Sequence, residues 1–153
     1  MNDPTSIYQQ IILDHYREKH HAGLREPYNT EVHHVNPSCG DEVTLRVALY
    51  GDRVSDVSYD ALGCSISQAS ESIMTDLIIG RSLAETAMLY REFKKMMESA
   101  GRLTPNEDLL QDAIAFNGVA QFPGRVKCAM LGWAALRDAL LRAGVSEAVS
   151  MEG

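Results

Sequence analysis

Hydrophobic residues in this chain follow two different periods, and the change between them marks out three stretches. Near the N-terminus Ile7, Tyr8, Ile11 and Ile12 fall on one face of a helix, and His15 shares that face as a packing residue. Asp3 can cap this helix and Pro4 suits its first position, where a missing N–H costs nothing. Gly23 and Pro27 predict its end. Between residues 31 and 59 the period drops to two. Val43, Leu45, Val47 and Leu49 lie two apart with Thr44 and Arg46 between them, which predicts a half-buried strand. Gly51-Asp52 signals a tight turn, residues 54–59 a returning strand, and residues 31–36 a third strand stopped by Pro37.

Helical spacing returns after Gly63. Ile66, Ala69, Ile73 and Leu77 form a stripe closed by Gly80. Ser82 and Glu85 read as a capping box, opening a helix with Leu83, Ala87, Phe93 and Met97 that stops before Gly101; Thr104, Pro105 and Glu107 predict the same device for a short helix. Val126, Ala129, Trp133, Leu136 and Leu140 make the last stripe, from about Arg125 to Gly144. Strands segregated from helices predict an α+β fold, a small three-stranded antiparallel sheet with helices packed on one face. A chain of 153 residues can bury one proper core. Residues 1–145 therefore read as a single domain and 146–153 as a frayed tail.

Charge and composition then narrow the chemistry. The formal net charge of −7 argues against a nucleic-acid partner, since phosphate backbones are held by clustered Lys and Arg. The one compact basic run, residues 91–95, is interrupted by Glu92 and reads as a solvated helix face. No apolar run approaches the roughly 18 residues that span a membrane, and Met1-Asn2-Asp3-Pro4 does not read as a secretory signal. The expectation is a cytoplasmic protein without a membrane partner. Three cysteines, an odd count for a reducing compartment, point to metal or thiol chemistry instead of disulfides.

Each cysteine sits at a junction between expected elements. Cys39 and Asp41 lie in a loop opened by Asn36-Pro37-Ser38, where Gly40 lets two side chains one residue apart converge on one ion. Cys64 follows the hairpin and starts a helix; Cys128 is expected in the first turn of the last helix. Helix N-termini favour thiolate over thiol, so both are expected to have lowered pKa values. Cys128 also points away from the middle of its helix's apolar stripe. Inert packing is the alternative for all three. If the thiols meet, Asp41 completes a tetrahedral set for zinc, and such an electron-rich site can release one ligand. No CxxC pair is present to support a zinc ribbon or redox dithiol. His33 and His34 face opposite sides of a strand, so at most one could join a given site, and both read as surface histidines.

At these residues the sequence resembles the SufU family, the zinc-binding branch of the IscU-like iron–sulfur cluster assembly proteins. The likeness runs from the first helix through Leu141. Its marks are Asn36-Pro37-Ser38-Cys39-Gly40-Asp41, Gly63-Cys64-Ser65-Ile66-Ser67 and Arg125-Val126-Lys127-Cys128. The resemblance implies an IscU-like α+β fold and zinc bound by Cys39, Asp41, Cys64 and Cys128. It implies a SufS-type pyridoxal-phosphate cysteine desulfurase as partner and Suf scaffold proteins downstream. A histidine of that desulfurase would replace one cysteine on zinc and free Cys39 to accept persulfide sulfur. The cargo is a single sulfur atom, so little pocket is needed. Lys127 stands where the IscU branch has His, and Phe122-Pro123-Gly124-Arg125 replaces that branch's Pro-Pro chaperone segment. Residues 83–103 supply a helix typical of SufU. Arg125 and Lys127 are candidates for partner docking or for shaping the site. The expected activity is a sulfurtransferase. The alternatives are a scaffold building a [2Fe–2S] cluster on the same ligands, and zinc used only for folding.

Overall fold

A computed structural model describes residues 4–151 of the chain. In order, these form α1 (Pro4–Glu18), β1 (Thr30–Asn36), β2 (Asp41–Tyr50), β3 (Arg53–Leu62), α2 (Ser65–Ile78), α3 (Leu83–Glu98), the short α4 (Glu107–Leu110) and α5 (Pro123–Arg142). Three 3-10 turns, Gln111–Asn117, Val119–Gln121 and Ser146–Ser150, complete the set.

The strands pair antiparallel in the order β1-β2-β3. Period-two burial is clearest in β2, where Val43, Leu45 and Val47 are fully buried and the residues between them are half-exposed. Tyr50 pairs with Arg53 across the Gly51-Asp52 turn, and Gly51 takes the positive φ of +60° that this tight reversal requires. The buried face receives α5 across β1 and β2 and α2 across β3, so the sheet has helices on one side, as the sequence predicts. On the far side of α5, Phe93 of α3 stacks on Trp133 at 4.8 Å between ring centroids and meets Phe116 edge-on at 5.9 Å. These rings tie α3 to the core.

Several boundaries differ from expectation. The cap expected from Asp3 lies outside the described residues. Helix α1 ends at Glu18, well before Gly23, because Lys19 and His21 both adopt left-handed backbone, at φ 48° and 64°. The Ser82–Glu85 capping box is present, but α4 is capped by Asn106, whose side chain accepts from the Leu109 N–H, and not by Thr104. Residues 146–151, expected to fray, pack instead: Ala148 and Met151 are fully buried among the core residues, which gives the last turn apolar contacts a loose tail lacks. His15 is buried as expected, but polar contacts hold it: its ring lies 2.8 Å from Ser72 Oγ and 3.1 Å from Asp112 Oδ2.

One core feature was not legible in the sequence. Glu71, in the middle of α2, is fully buried, and neither carboxyl oxygen has a hydrogen-bond partner in the protein. Space for it comes from Gly132 of α5, where a Cβ would lie 2.6 Å from Glu71 Cγ. Burial, and then the charge of Asp41, push the Glu71 pKa up to about 9. The folded protein thus holds a proton at Glu71 that the unfolded chain gives up above the ordinary carboxyl value of 4.5. Stability should therefore fall as pH rises from that value towards about 9. Glu71→Gln keeps the shape and removes the ionisable group. Its denaturant stability relative to wild type should improve between about pH 5 and about pH 8, by on the order of 4 kcal/mol. A difference that stays constant over that range would show that Glu71 does not hold a proton in the fold.

Candidate metal centre

The first hairpin loop, the exit of β3 and the start of α5 meet at one end of the sheet. Residues 37–40 connect β1 to β2, and Asn36 pairs with Asp41 across the hairpin. Asn36 shapes this loop: its carbonyl accepts from the N–H groups of Cys39 and Gly40, and its side chain accepts from the Ser38 N–H. Gly40, at φ +75°, returns the chain into β2 with Asp41 as its first residue. Because β3 runs antiparallel to β2, Leu62 pairs with Glu42, and Gly63-Cys64 emerges beside Asp41.

Asp41 is the centre of the site. It is only 1% exposed. Its Oδ1 accepts from the backbone N–H of Cys64 at 2.9 Å, and its Oδ2 lies 3.0 Å from Cys39 Sγ and 3.5 Å from Cys64 Sγ. Cys39 Sγ lies 3.4 Å from Cys128 Sγ. Donor atoms of Cys39, Asp41 and Cys128 all fall within 4.8 Å of one another. The structure brings Cys39, Asp41 and Cys128 together as one donor group, and Cys64 lies outside that group, adjoining it through Asp41. Burial pushes the Asp41 carboxyl up, but hydrogen bonds from Cys39, the Cys64 N–H, Cys128 and Cys64 outweigh it and leave the group below its ordinary range.

The three thiols are not equivalent. Cys39 and Cys64 are exposed, whereas Cys128 is buried. Cys64 is the N-cap residue of α2, as expected. Cys128 departs from expectation twice. Helix α5 begins at Pro123, so Cys128 lies in its second turn, away from the unpaired N–H groups. Burial first, then hydrogen bonds to Cys39 and Asp41 and the nearby Cys64, push its thiol above the ordinary cysteine range instead of below it. A bound cation reverses this balance, since a coordinating thiol is deprotonated outright. Three sulfurs and one carboxylate suit a soft or borderline ion such as zinc.

The neighbouring residues divide. Lys127 is exposed. Arg125 is exposed, stands over the Phe122 ring at 5.8 Å, and lines a groove of about 600 Å³ with Tyr8, Ile12, Ser65, Ile66 and Phe122. His33 contacts Thr44 and Glu42, and His34 contacts Asp138, so both act away from the cysteines. Sequence reasoning missed the importance of Gly63. At φ +145°, a Cβ there would lie 2.2 Å from Asp41 Oδ1, so only glycine lets β3 leave the sheet against the carboxylate. Its adjacency to Cys64 was the available signal.

This α+β fold sets three thiols around a buried carboxylate, a donor set that could hold a soft or borderline metal ion. Residues 7–140 match the family described as NifU-like N terminal domain. The chain belongs to that family, the IscU-like iron–sulfur cluster assembly proteins. It is 38% identical over 136 residues to the iron–sulfur cluster assembly scaffold protein IscU of Streptococcus pyogenes serotype M1, spanning 89% of this chain and 84% of that protein. It is 36% identical over 137 residues to the zinc-dependent sulfurtransferase SufU of Bacillus subtilis, spanning 90% and 91%. The crystal structure of a SUF-system scaffold protein from Fervidobacterium islandicum AW-1 superposes with a TM-score of 0.79 at 36% identity, covering 88% of this chain and 96% of that one. Among the described residues, no helix is long and apolar enough to cross a membrane.

Gly63→Ala should displace Asp41 and weaken zinc binding by about 10-fold or more, the usual effect of disturbing a ligand's support. Competition with a chromophoric chelator measures this, with circular dichroism confirming the fold. Unchanged affinity would mean that Asp41 is not a ligand.

Proposed function

We propose that this chain is a zinc-dependent sulfurtransferase of the SufU type, which takes persulfide sulfur from a SufS-type cysteine desulfurase and relays it to iron–sulfur cluster assembly. The observation that carries the reading is the unequal exposure of the gathered donors. Cys39 is exposed on a loop, while Asp41 and Cys128, which its sulfur touches, are buried beneath it. Cys64 is exposed too, but it caps helix α2 and its backbone N–H is held by Asp41, so the loop thiol Cys39 can turn towards a partner while Asp41 and Cys128 stay seated.

Cys39, Asp41, Cys64 and Cys128 would hold zinc, whose charge keeps thiols deprotonated and limits their oxidation until the partner docks. The chain's own residue then does the chemistry. The Cys39 thiolate attacks the terminal sulfur of the desulfurase's cysteine persulfide. A Cys39–sulfur bond forms, the partner's sulfur–sulfur bond breaks, and its electron pair leaves on the partner's cysteine thiolate. Nothing is oxidised or reduced overall. Docking is supported by exposed apolar side chains beside the cysteines, with Leu62 at 69% and Phe122 at 57% exposure, and by the groove that Arg125 borders.

The test is turnover. Adding the chain to its cognate desulfurase should accelerate alanine release from cysteine, and Cys39→Ala should abolish the acceleration. A normal rate with that variant removes Cys39 from the role. A second reading, a scaffold that assembles a [2Fe–2S] cluster on the same ligands, is favoured by the 38% identity to an IscU scaffold. Metal analysis of protein purified without air separates the two. Stoichiometric zinc supports the relay, and iron with acid-labile sulfide supports the scaffold.

A further inference from the structure

A second cluster of potential metal donors forms where His15 of α1 and His20 of the following turn meet Asp76 of α2, about 18 Å along that helix from Cys64 at 1.5 Å per residue. We propose that His15, His20 and Asp76 form a separate site for a divalent first-row transition ion of the zinc class. Donor atoms of the three residues fall within 4.8 Å of one another. His20 Nδ1 is 2.5 Å from Asp76 Oδ2, and the His15 and His20 rings lie 4.7 Å apart.

The arrangement around these donors is what a metal-binding histidine needs. Such a histidine turns one ring nitrogen to the ion and donates from the other to a carboxylate. Both rings are backed this way: His20 Nε2 lies 2.7 Å from Glu18 Oε1, and His15 Nε2 lies 3.1 Å from Asp112 Oδ2. Nδ1 is the remaining nitrogen of each ring, and that of His20 faces Asp76. That of His15 meets Ser72 Oγ at 2.8 Å, and the same hydroxyl oxygen accepts from the His20 backbone N–H at 2.9 Å. The other oxygen of Asp76 is held by His21 Nε2 at 3.1 Å.

The backbone presents His20 at a cost. Lys19 and His21, on either side of it, are both left-handed without being glycine, a conformation that persists only where its surroundings enforce it. Three carboxylates, Glu18, Asp76 and Asp112, surround the two imidazoles and favour a cation. Two imidazole donors select zinc, nickel or copper over magnesium and calcium, which prefer oxygen throughout. On binding, the proton between His20 Nδ1 and Asp76 leaves to solvent, the Ser72 hydroxyl gives up its contact with His15 Nδ1, and the ion takes their place. The bound ion would clip the turn after α1 to the C-terminal half of α2, independently of the cysteines.

Untagged full-length protein, stripped of metal and dialysed against zinc, should retain one equivalent more than the His20→Gln variant. His20 is partly exposed, so that variant should keep the fold. With cobalt as probe, the ion lost in His20→Gln should contribute no thiolate charge-transfer absorption, and the thiolate band should persist. In a C39S/C64S/C128S background the thiolate band should vanish while a cobalt ion remains, and adding H20Q should remove it. Equal ion content in wild type and H20Q overturns the proposal. A missing thiolate band in both, with the equivalent still lost in H20Q, would instead count against the cysteine site and leave this one standing.

Discussion

A carboxylate with 1% exposure must have its charge answered by neighbours, and Asp41 is the point on which the functional end of this molecule depends. Leaving such a group unpartnered costs several kcal/mol. Here the answer comes from the Cys64 N–H and from thiols on three separate segments. The same demand accounts for Gly63, whose lack of a side chain lets the exit of β3 run against the carboxylate. Loop, strand end and helix are thus held together by one acid group, with or without an ion.

The architecture separates what must stay fixed from what must be reached. The sheet and helices α2 and α5 share the buried core, and the stacked Phe93 and Trp133 anchor α3 behind it. Asp41 and Cys128 belong to that fixed part. Cys39 lies on a turn shaped by Asn36 and Gly40 and is exposed. In the proposed relay, a donor set divided between fixed strand and helix positions and a loop would let one sulfur leave while the other donors keep their places. The chain is a member of the IscU-like iron–sulfur cluster assembly family.

Helix α2 organises the polar interior. Its N-cap is Cys64, its middle carries the buried Glu71 opposite Gly132, and its C-terminal half carries Ser72 and Asp76 against the histidines after α1. Polar groups on a largely buried helix are retained where each has a partner or a proton. The aliphatic stripe of Ala69, Ile73 and Leu77 supplies the apolar packing between them.

Much of the fold was legible in the sequence because burial on a strand or helix leaves a local period. The alternation from Val43 to Leu49 and the stripes through Ile73 and Trp133 named their elements, and Gly51-Asp52 named the hairpin. The four site residues were legible as chemical types at junctions. Local pattern does not record partners far away in the chain. The tail's packing on the core, the second-turn position of Cys128, the room that Gly132 makes for Glu71, and the meeting of His15 with Asp76 all depend on which segments lie side by side. The sequence by itself determined the elements and the chemistry of the donors, through periodicity and residue type. The tertiary structure alone decided which donors meet and how deeply each is buried, because exposure and charge balance arise only when distant segments exclude water from one another.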